Sequence, residues 1–266
     1  MYQTTYHRAA SVAEALSLVA GADDGKFVSG GMTLIPAMKQ RLAAPSDLVD
    51  LRHIAELKGV RVSGRDVSIG AGTTHFEIAN DAALKALCPA FAGLAGHIGD
   101  PHVRYMGTIG GSVANSDPAA DYPAALLAMA ATIVTNKREI AAADFFTGLF
   151  ETALEDHEMV TEIRFTAPAQ AGYMKFPNPA SRYAMAGVFV ARDEDGVRVG
   201  VTGAGDNGVF RAETLEAALS RNFSPSALEG MTFPSDSMMG DIHASPAYRA
   251  NLVVVMAKRA VAAAIG

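Results

Sequence analysis

Two Gly-Gly pairs, each set among hydroxyl residues, constrain this chain more than anything else in it: Ser29-Gly30-Gly31-Met32-Thr33 and Thr108-Ile109-Gly110-Gly111-Ser112. The first follows a short strand, Lys26-Phe27-Val28, and precedes a helical stretch from Leu34 to Leu42. A strand-to-helix junction of this kind presents backbone N–H groups to a phosphate. Consecutive glycines let a bulky anion approach the main chain and allow positive φ. Thr33 can cap the helix or hydrogen-bond a phosphate. The pair is neither G-x-G-x-x-G nor a P-loop, because no Gly-Lys-Ser/Thr follows. By itself it reads more readily as a tight strand-to-helix turn without a ligand.

The second pair lies in a long aperiodic segment, Gly99 to Tyr122, with Asn115, Ser116, Asp117 and Asp121 close behind. Loops of this length inside compact domains usually carry function. Asp121 precedes a helix beginning near Pro123, so its carboxylate either favours the helix dipole or accepts hydrogen bonds from sugar hydroxyls. Two such pairs in one chain point to a ligand with two phosphates and a long body.

The surrounding pattern is mixed helix and strand. Ser11-Val-Ala-Glu14 is a capping box, followed by Val12, Ala15, Leu16 and Val19 at helical spacing, with Gly21 as the stop. Asp47 to Leu51 is a strand, and the first unit ends near Leu57. Strands at Val60 to Ser63 and Asp66 to Ala71 open a second unit around a turn at Gly64. Helices follow at Phe76 to Leu87, Pro89 to His97 and Pro123 to Ala130, then strands at Thr132 to Thr135 and Met159 to Phe165. The stretch Thr166 to Gly172 is the domain boundary. Beyond it, Tyr173 to Phe176, Ala186 to Ala191, Val197 to Thr202 and Gly208 to Phe210 read as an antiparallel meander. The tail is helical: Ala212 to Leu219, Ser226 to Leu228, and a long final helix from Pro246 capped by Ser245. The expected division is 1–57, 58–168 and 172–266.

Composition excludes several classes. The net charge of −6 and the absence of a basic run argue against nucleic-acid binding. No apolar run spans a bilayer, and the N-terminus lacks the layout of a secretion signal. The expected location is therefore the cytoplasm. The single cysteine, Cys88, builds neither a disulfide nor an iron–sulfur cluster by itself, so any redox centre here is organic. Cys88 reads as a small packed residue. His75, His97 and His102 match no metal-ligand spacing and read as surface or loop histidines. Lys39, Arg41 and Arg52 read as solvated, and Arg104 is the one basic residue inside the aperiodic segment. G-x-S-x-G is absent, so no hydrolase elbow is present.

Three segments together resemble one family: SGGMTLIPAMKQRLAAPSDLVDL, IGAGTTHFEIA and IGDPHVRYMGTIGGSVANSDPAADYPAALLAM. They are similar to the FAD-binding medium subunits of molybdenum hydroxylases, which include aerobic carbon monoxide dehydrogenase and xanthine dehydrogenase. The likeness continues through KFPNPASRYAMAGVFVA and DIHASPAYRANLVVVMAKRAV. It implies an α+β chain: a two-subdomain α/β FAD-binding domain of the PCMH type, then a C-terminal domain with a three-stranded antiparallel sheet and helices. It implies that Ser29, Gly30, Gly31, Met32 and Thr33 line the pyrophosphate. Thr108, Ile109, Gly110, Gly111 and Ser112 would form a second FAD-contacting turn. Asp121 would meet the ribityl or nearby hydroxyls, Val160 would pack near the isoalloxazine, Lys175 would lie near its edge, and Tyr183 would cover its face. Met32 stands where relatives often carry Thr or His, and Ser112 where they often carry Asn, so backbone N–H groups would serve at both. The cluster-binding cysteine loop of benzoyl-CoA-type reductases is missing.

The resemblance also implies a role. The chain would be the FAD subunit of a heterotrimer. It would take electrons from a small [2Fe–2S] subunit and pass them to quinone, NAD or oxygen. A large molybdenum-cofactor subunit would oxidise the substrate. In the assembled complex the chain would lie in the cytoplasm, or against the inner face of the membrane. Tyr183 and Lys175 would tune the flavin, and no catalytic acid or base is called for here. Two other readings stay open: a stand-alone FAD-dependent oxidase or reductase, and a non-catalytic nucleotide-binding scaffold.

Overall fold

The computed structural model describes residues 1–266, and its strands form three principal sheets in chain order. The first sheet is parallel. It holds β1 (Thr5–Arg8), β2 (Gly25–Val28) and β3 (Asp47–Asp50), with β3 in the middle. Parallel neighbours need crossovers, which α1 (Val12–Ala20) and α2 (Leu34–Lys39) provide. Ser11 caps α1 through the Glu14 N–H, while the Glu14 carboxylate reaches back one residue further than expected, to the Ala10 N–H. Helix α2 is shorter than the apolar pattern through Leu42 suggests, because Arg41 turns left-handed at φ 63°. Strand β1, too polar to stand out, is held by pairing with β3. Arg52 is not free in solvent: its guanidinium clamps the fully buried Asp50 carboxylate at 2.7 Å.

The second sheet is antiparallel, ordered β4-β5-β10-β6-β7 from β4 (Val60–Ser63), β5 (Asp66–Gly70), β6 (Thr132–Thr135), β7 (Glu139–Ala141) and β10 (Val160–Thr166). A small hairpin, β8 (Phe146–Gly148) with β9 (Glu151–Thr152), sits beside it. The helical stretch 76–87 is two helices, α3 (His75–Asn80) and α4 (Ala82–Leu87), because Asp81 is extended and caps the second through the Leu84 N–H. Helix α5 (Pro89–Gly96) follows. The segment 99–122 is not an irregular loop. It carries α6 (Pro101–Met106), capped by Asp100, and α7 (Ile109–Asn115), capped by Thr108. Both are too short for periodicity to show. Helix α8 (Tyr122–Ala128) is apolar all round and buried along its whole length, as a helix without a polar face must be. The short α9 (Ala142–Phe145) completes the unit.

The third sheet is an antiparallel meander of β11 (Gln170–Pro177), β12 (Ala184–Asp193), β13 (Gly196–Thr202) and β14 (Phe210–Arg211). The two-residue β14 makes it four-stranded, against the three implied by resemblance. Helices α10 (Glu213–Arg221) and α11 (Pro246–Ile265) cover it, and Ser245 caps α11. Strand β12 is buried through eight successive positions, since α8 and α5-side residues pack on one face and α11 on the other. Phe189 and Ala191 thus belong to the core built around α5 and α8, while Val188 and Val190 belong to the core under α11.

Candidate functional site

Both Gly-Gly motifs and residues from all three sheets' units meet at one cavity of about 830 Å³. Its volume is within the usual range for small-molecule and cofactor pockets. The first motif leaves β2 at the rim. Gly31 has φ 70°, a left-handed conformation that glycine adopts without strain. Gly30 is required for a different reason: a methyl group there would lie 2.1 Å from the Met106 carbonyl oxygen. The first motif therefore rests directly on the end of α6. From Ser29 to Thr33, five successive backbone N–H groups have no acceptor within the chain, and all five residues line the cavity. Thr33 does not cap α2. It is already in helical conformation, and its hydroxyl makes no capping bond.

The second motif behaves differently. Gly110 and Gly111 are not a turn but the first turn of α7. Their N–H groups are spoken for: Ile109 donates to Thr73, Gly110 to Ala71, Gly111 to the Thr108 hydroxyl and Ser112 to the Thr108 carbonyl. A backbone anion cradle is therefore absent here. The small size of Gly110 lets α7 sit against β5's end, where a methyl would come 2.5 Å from Ala71 Cβ. Thr108, Gly110, Gly111 and Ser112 line the cavity. Ile109 does not: its side chain is fully buried in the core.

Asp121 lines the cavity and is 4 % exposed. It makes no capping bond to α8. Its Oδ1 accepts from Tyr173 Oη and pairs with Lys175 Nζ at 2.8 Å, so Oδ2 stays without a partner in the chain. Burial pushes the Asp121 carboxyl above the usual range, and the Lys175 ammonium pulls against it. Lys175 itself does not line the cavity. Its ammonium is enclosed behind Asp121 and donates to the His97 carbonyl, so any influence on a ligand passes through Asp121. Val160 lines the cavity at a β-bulge that opens β10. Tyr183 lines it too, half-exposed at the mouth, on a loop fastened by Asn178 and Arg182. Burial of its hydroxyl and the nearby Asp117 and Asp121 raise the Tyr183 pKa.

One histidine in the cavity wall is neither a surface nor a loop residue. His75 is 4 % exposed, begins α3 and meets Tyr122 Oη at 3.1 Å through Nδ1. Burial, with help from Arg104, lowers its pKa to about 4, so the ring is neutral at pH 7. The signal for it in the sequence was Thr74-His75 at the opening of a capped helix, which by itself marks only a cap. His102 is exposed, and His97 serves through its backbone carbonyl. No group of His, Cys, Asp and Glu is arranged to hold a metal ion. Cys88 is buried, and burial raises its thiol's pKa.

Comparison with known proteins adds the following. Residues 2–168 match the family described as the FAD binding domain in molybdopterin dehydrogenase. The carbon monoxide dehydrogenase medium chain of Afipia carboxidovorans is 34% identical over 96% of this chain and 94% of that protein. The nicotine 6-hydroxylase medium subunit of Paenarthrobacter nicotinovorans is 33% identical, covering 96% of this chain and 95% of that one. Among solved structures, carbon monoxide dehydrogenase from Hydrogenophaga pseudoflava superposes with a TM-score of 0.87 at 33% identity, over 99% of this chain and 97% of that one.

Proposed function

The chain belongs to the family of FAD-binding domains of molybdopterin dehydrogenases, and on that footing we propose that it holds FAD in the 830 Å³ cavity and transfers electrons within a larger oxidoreductase. Its relatives are medium chains of heteromeric enzymes, and this chain is an oxidoreductase subunit of the same kind. The observation that carries the reading is the run of five unpaired N–H groups from Ser29 to Thr33. Such a run, facing one cavity, suits the diphosphate of a dinucleotide. Bound flavin supplies the electron chemistry, and the protein supplies position, electrostatics and exclusion of water.

Each wall has a distinct task in this reading. Ser29 to Thr33 bind the diphosphate through main-chain donors. Thr108 fixes Ser29 in place through a hydroxyl–hydroxyl bond of 3.0 Å. Asp121, held by Lys175 and Tyr173, offers Oδ2 to hydroxyl donors such as those of the ribityl chain. Gly110, Gly111 and Ser112 contribute room and a smooth surface rather than N–H donors. Val160 presents an apolar wall and Tyr183 shields the mouth.

The partners we assign are a small [2Fe–2S] chain that delivers electrons and a large molybdenum-cofactor chain that oxidises substrate. The final acceptor is a quinone, NAD or oxygen. The family names of the relatives and their medium-chain status support that division of labour. No helix is long and apolar enough to cross a membrane.

The first test is spectroscopic. The purified chain, incubated with FAD and desalted, should retain flavin absorption bands; a colourless product removes the FAD reading. The second is assembly. Affinity purification from the native host should bring down an iron–sulfur chain and a large molybdenum chain. A FAD-loaded chain that turns over substrate alone points to a stand-alone oxidase instead.

A further inference from the structure

We infer that His75 holds the cofactor directly, donating a hydrogen bond from Nε2–H to an oxygen of bound FAD, and that Tyr122 fixes the tautomer required. This rests on the FAD reading above and adds a residue and a role to it.

The argument starts from Tyr122. Its side chain is fully buried, and its hydroxyl has one hydrogen-bonding neighbour, His75 Nδ1 at 3.1 Å. A buried hydroxyl with a single partner donates its proton to that partner, because an unpaired O–H away from water is strongly disfavoured. Nδ1 is therefore the acceptor. The proton of the neutral ring then sits on Nε2, since a neutral imidazole carries one N–H. The ring stays neutral because burial holds its pKa at about 4.

Nε2 has no partner in the chain, and it is not among the fully enclosed unpaired atoms, a set that contains only Arg249 Nε. His75 lines the cavity. The ring edge lies against Gly107, where an added methyl would be 2.7 Å from Nε2. An added methyl on Gly30 would be 2.7 Å from Gly107 Cα. His75 Nε2–H is thus one glycine removed from the row of main-chain donors at Ser29 to Thr33. It extends that row across the junction between the first two sheets' units. The backbone of His75 is pinned as well, its N–H donating to the Gly107 carbonyl at 3.0 Å. The donor is held by a buried phenol on one side and by the main chain on the other, which is how a positioned binding group is supported.

The test uses the full chain with histidine labelled by ¹⁵N. Nε2 of His75 should be the protonated nitrogen, and its signals should shift when FAD is added. In a fluorescence titration with FAD, His75→Leu should weaken binding by about tenfold or more. His75→Gln, whose amide keeps a donor at similar reach, should recover most of the loss. A proton on Nδ1, a His75 signal indifferent to FAD, or equal FAD affinity in His75→Leu and wild type overturns the inference. Should His75→Leu fail to fold, the wild-type spectra decide alone. Wild type that does not bind FAD sinks the cofactor reading and this inference together. Wild type that binds FAD with His75 silent sinks only the inference.

Discussion

Thr108 Oγ1 donates a hydrogen bond to Ser29 Oγ at 3.0 Å and accepts one from the Gly111 N–H at 3.2 Å. One hydroxyl therefore joins the two glycine motifs, which lie 79 residues apart in the chain between these partners. Because Ser29 is the acceptor, its own hydroxyl proton remains available to a ligand. Thr108→Val should lose both bonds and lower stability by about 1–2 kcal/mol, the scale of an N-cap loss. Thr108→Ser should keep them. Urea denaturation of the two variants, with and without FAD, checks this, and equal midpoints would show that the joint contributes nothing.

The two glycine pairs should respond unequally to alanine. At Gly30 an added methyl strikes the Met106 carbonyl oxygen at 2.1 Å, a backbone atom with no room to yield. At Gly111 the nearest atom is Thr108 Oγ1 at 3.0 Å. Gly30→Ala should therefore displace the row of N–H donors, destabilise the chain by about 1–3 kcal/mol or more, and greatly weaken FAD binding. Gly111→Ala should bind FAD within about tenfold of wild type, a difference of roughly 1.4 kcal/mol. A FAD titration in which Gly111→Ala is the worse of the two contradicts the assignment.

Asp121 and Lys175 form an enclosed ion pair, 4 % and 6 % exposed at their side chains. Removing one member leaves an uncompensated charge. Lys175→Met should cost about 3–5 kcal/mol. Adding Asp121→Asn should restore part of that loss, because neither charge is then buried alone. Thermal melts of both singles and the double complete the cycle; strictly additive losses would mean that the pair does not couple.

Tyr183 stands half-exposed at the mouth of the cavity. Tyr183→Ala should speed reoxidation of reduced flavin by oxygen while changing FAD affinity little. Stopped-flow reoxidation of the FAD-loaded chain reads this, and an unchanged rate argues against a shielding role.

Glu158 carries the clearest acid signature. Burial raises its pKa, but hydrogen bonds from Arg138, the Glu155 N–H and Thr135 outweigh that and hold it at about 2, against an ordinary 4.5. A lowered carboxyl contributes stability that is present in full above 4.5 and declines as the pH falls towards 2. Glu158→Gln should therefore melt lower than wild type at pH 7, with the gap closing between pH 4.5 and pH 2. A gap that persists unchanged at the acid end would place the effect in packing rather than in charge.

Much of the architecture was legible from local chemistry. Capping residues and periodicity located α1, α5, α8 and α11, and alternation located the strands of the third sheet. The cofactor class was legible from motif order, because Gly-Gly pairs beside hydroxyls at two sites, with Asp121 between α7 and α8, suit a dinucleotide. What the sequence hides is set by contacts distant in the chain or by elements too short to show a pattern. Strand β1 has no apolar face of its own and exists by pairing with β3. Helices α6 and α7 are too short to show a period.

By itself, then, the sequence determined the class of fold, the single cysteine and the two glycine motifs that line the cavity. Only the tertiary structure decided what each motif does. Gly30-Gly31 keeps its N–H groups free because they follow a strand end with no neighbour to pair with. Gly110-Gly111 surrenders its own because the Ala71 carbonyl, just past β5, arrives from elsewhere in the chain to accept one, and the hydroxyl of the helix-capping Thr108 accepts the other. Backbone N–H groups are identical in every residue, so which of them remain unpaired is a property of packing, not of composition.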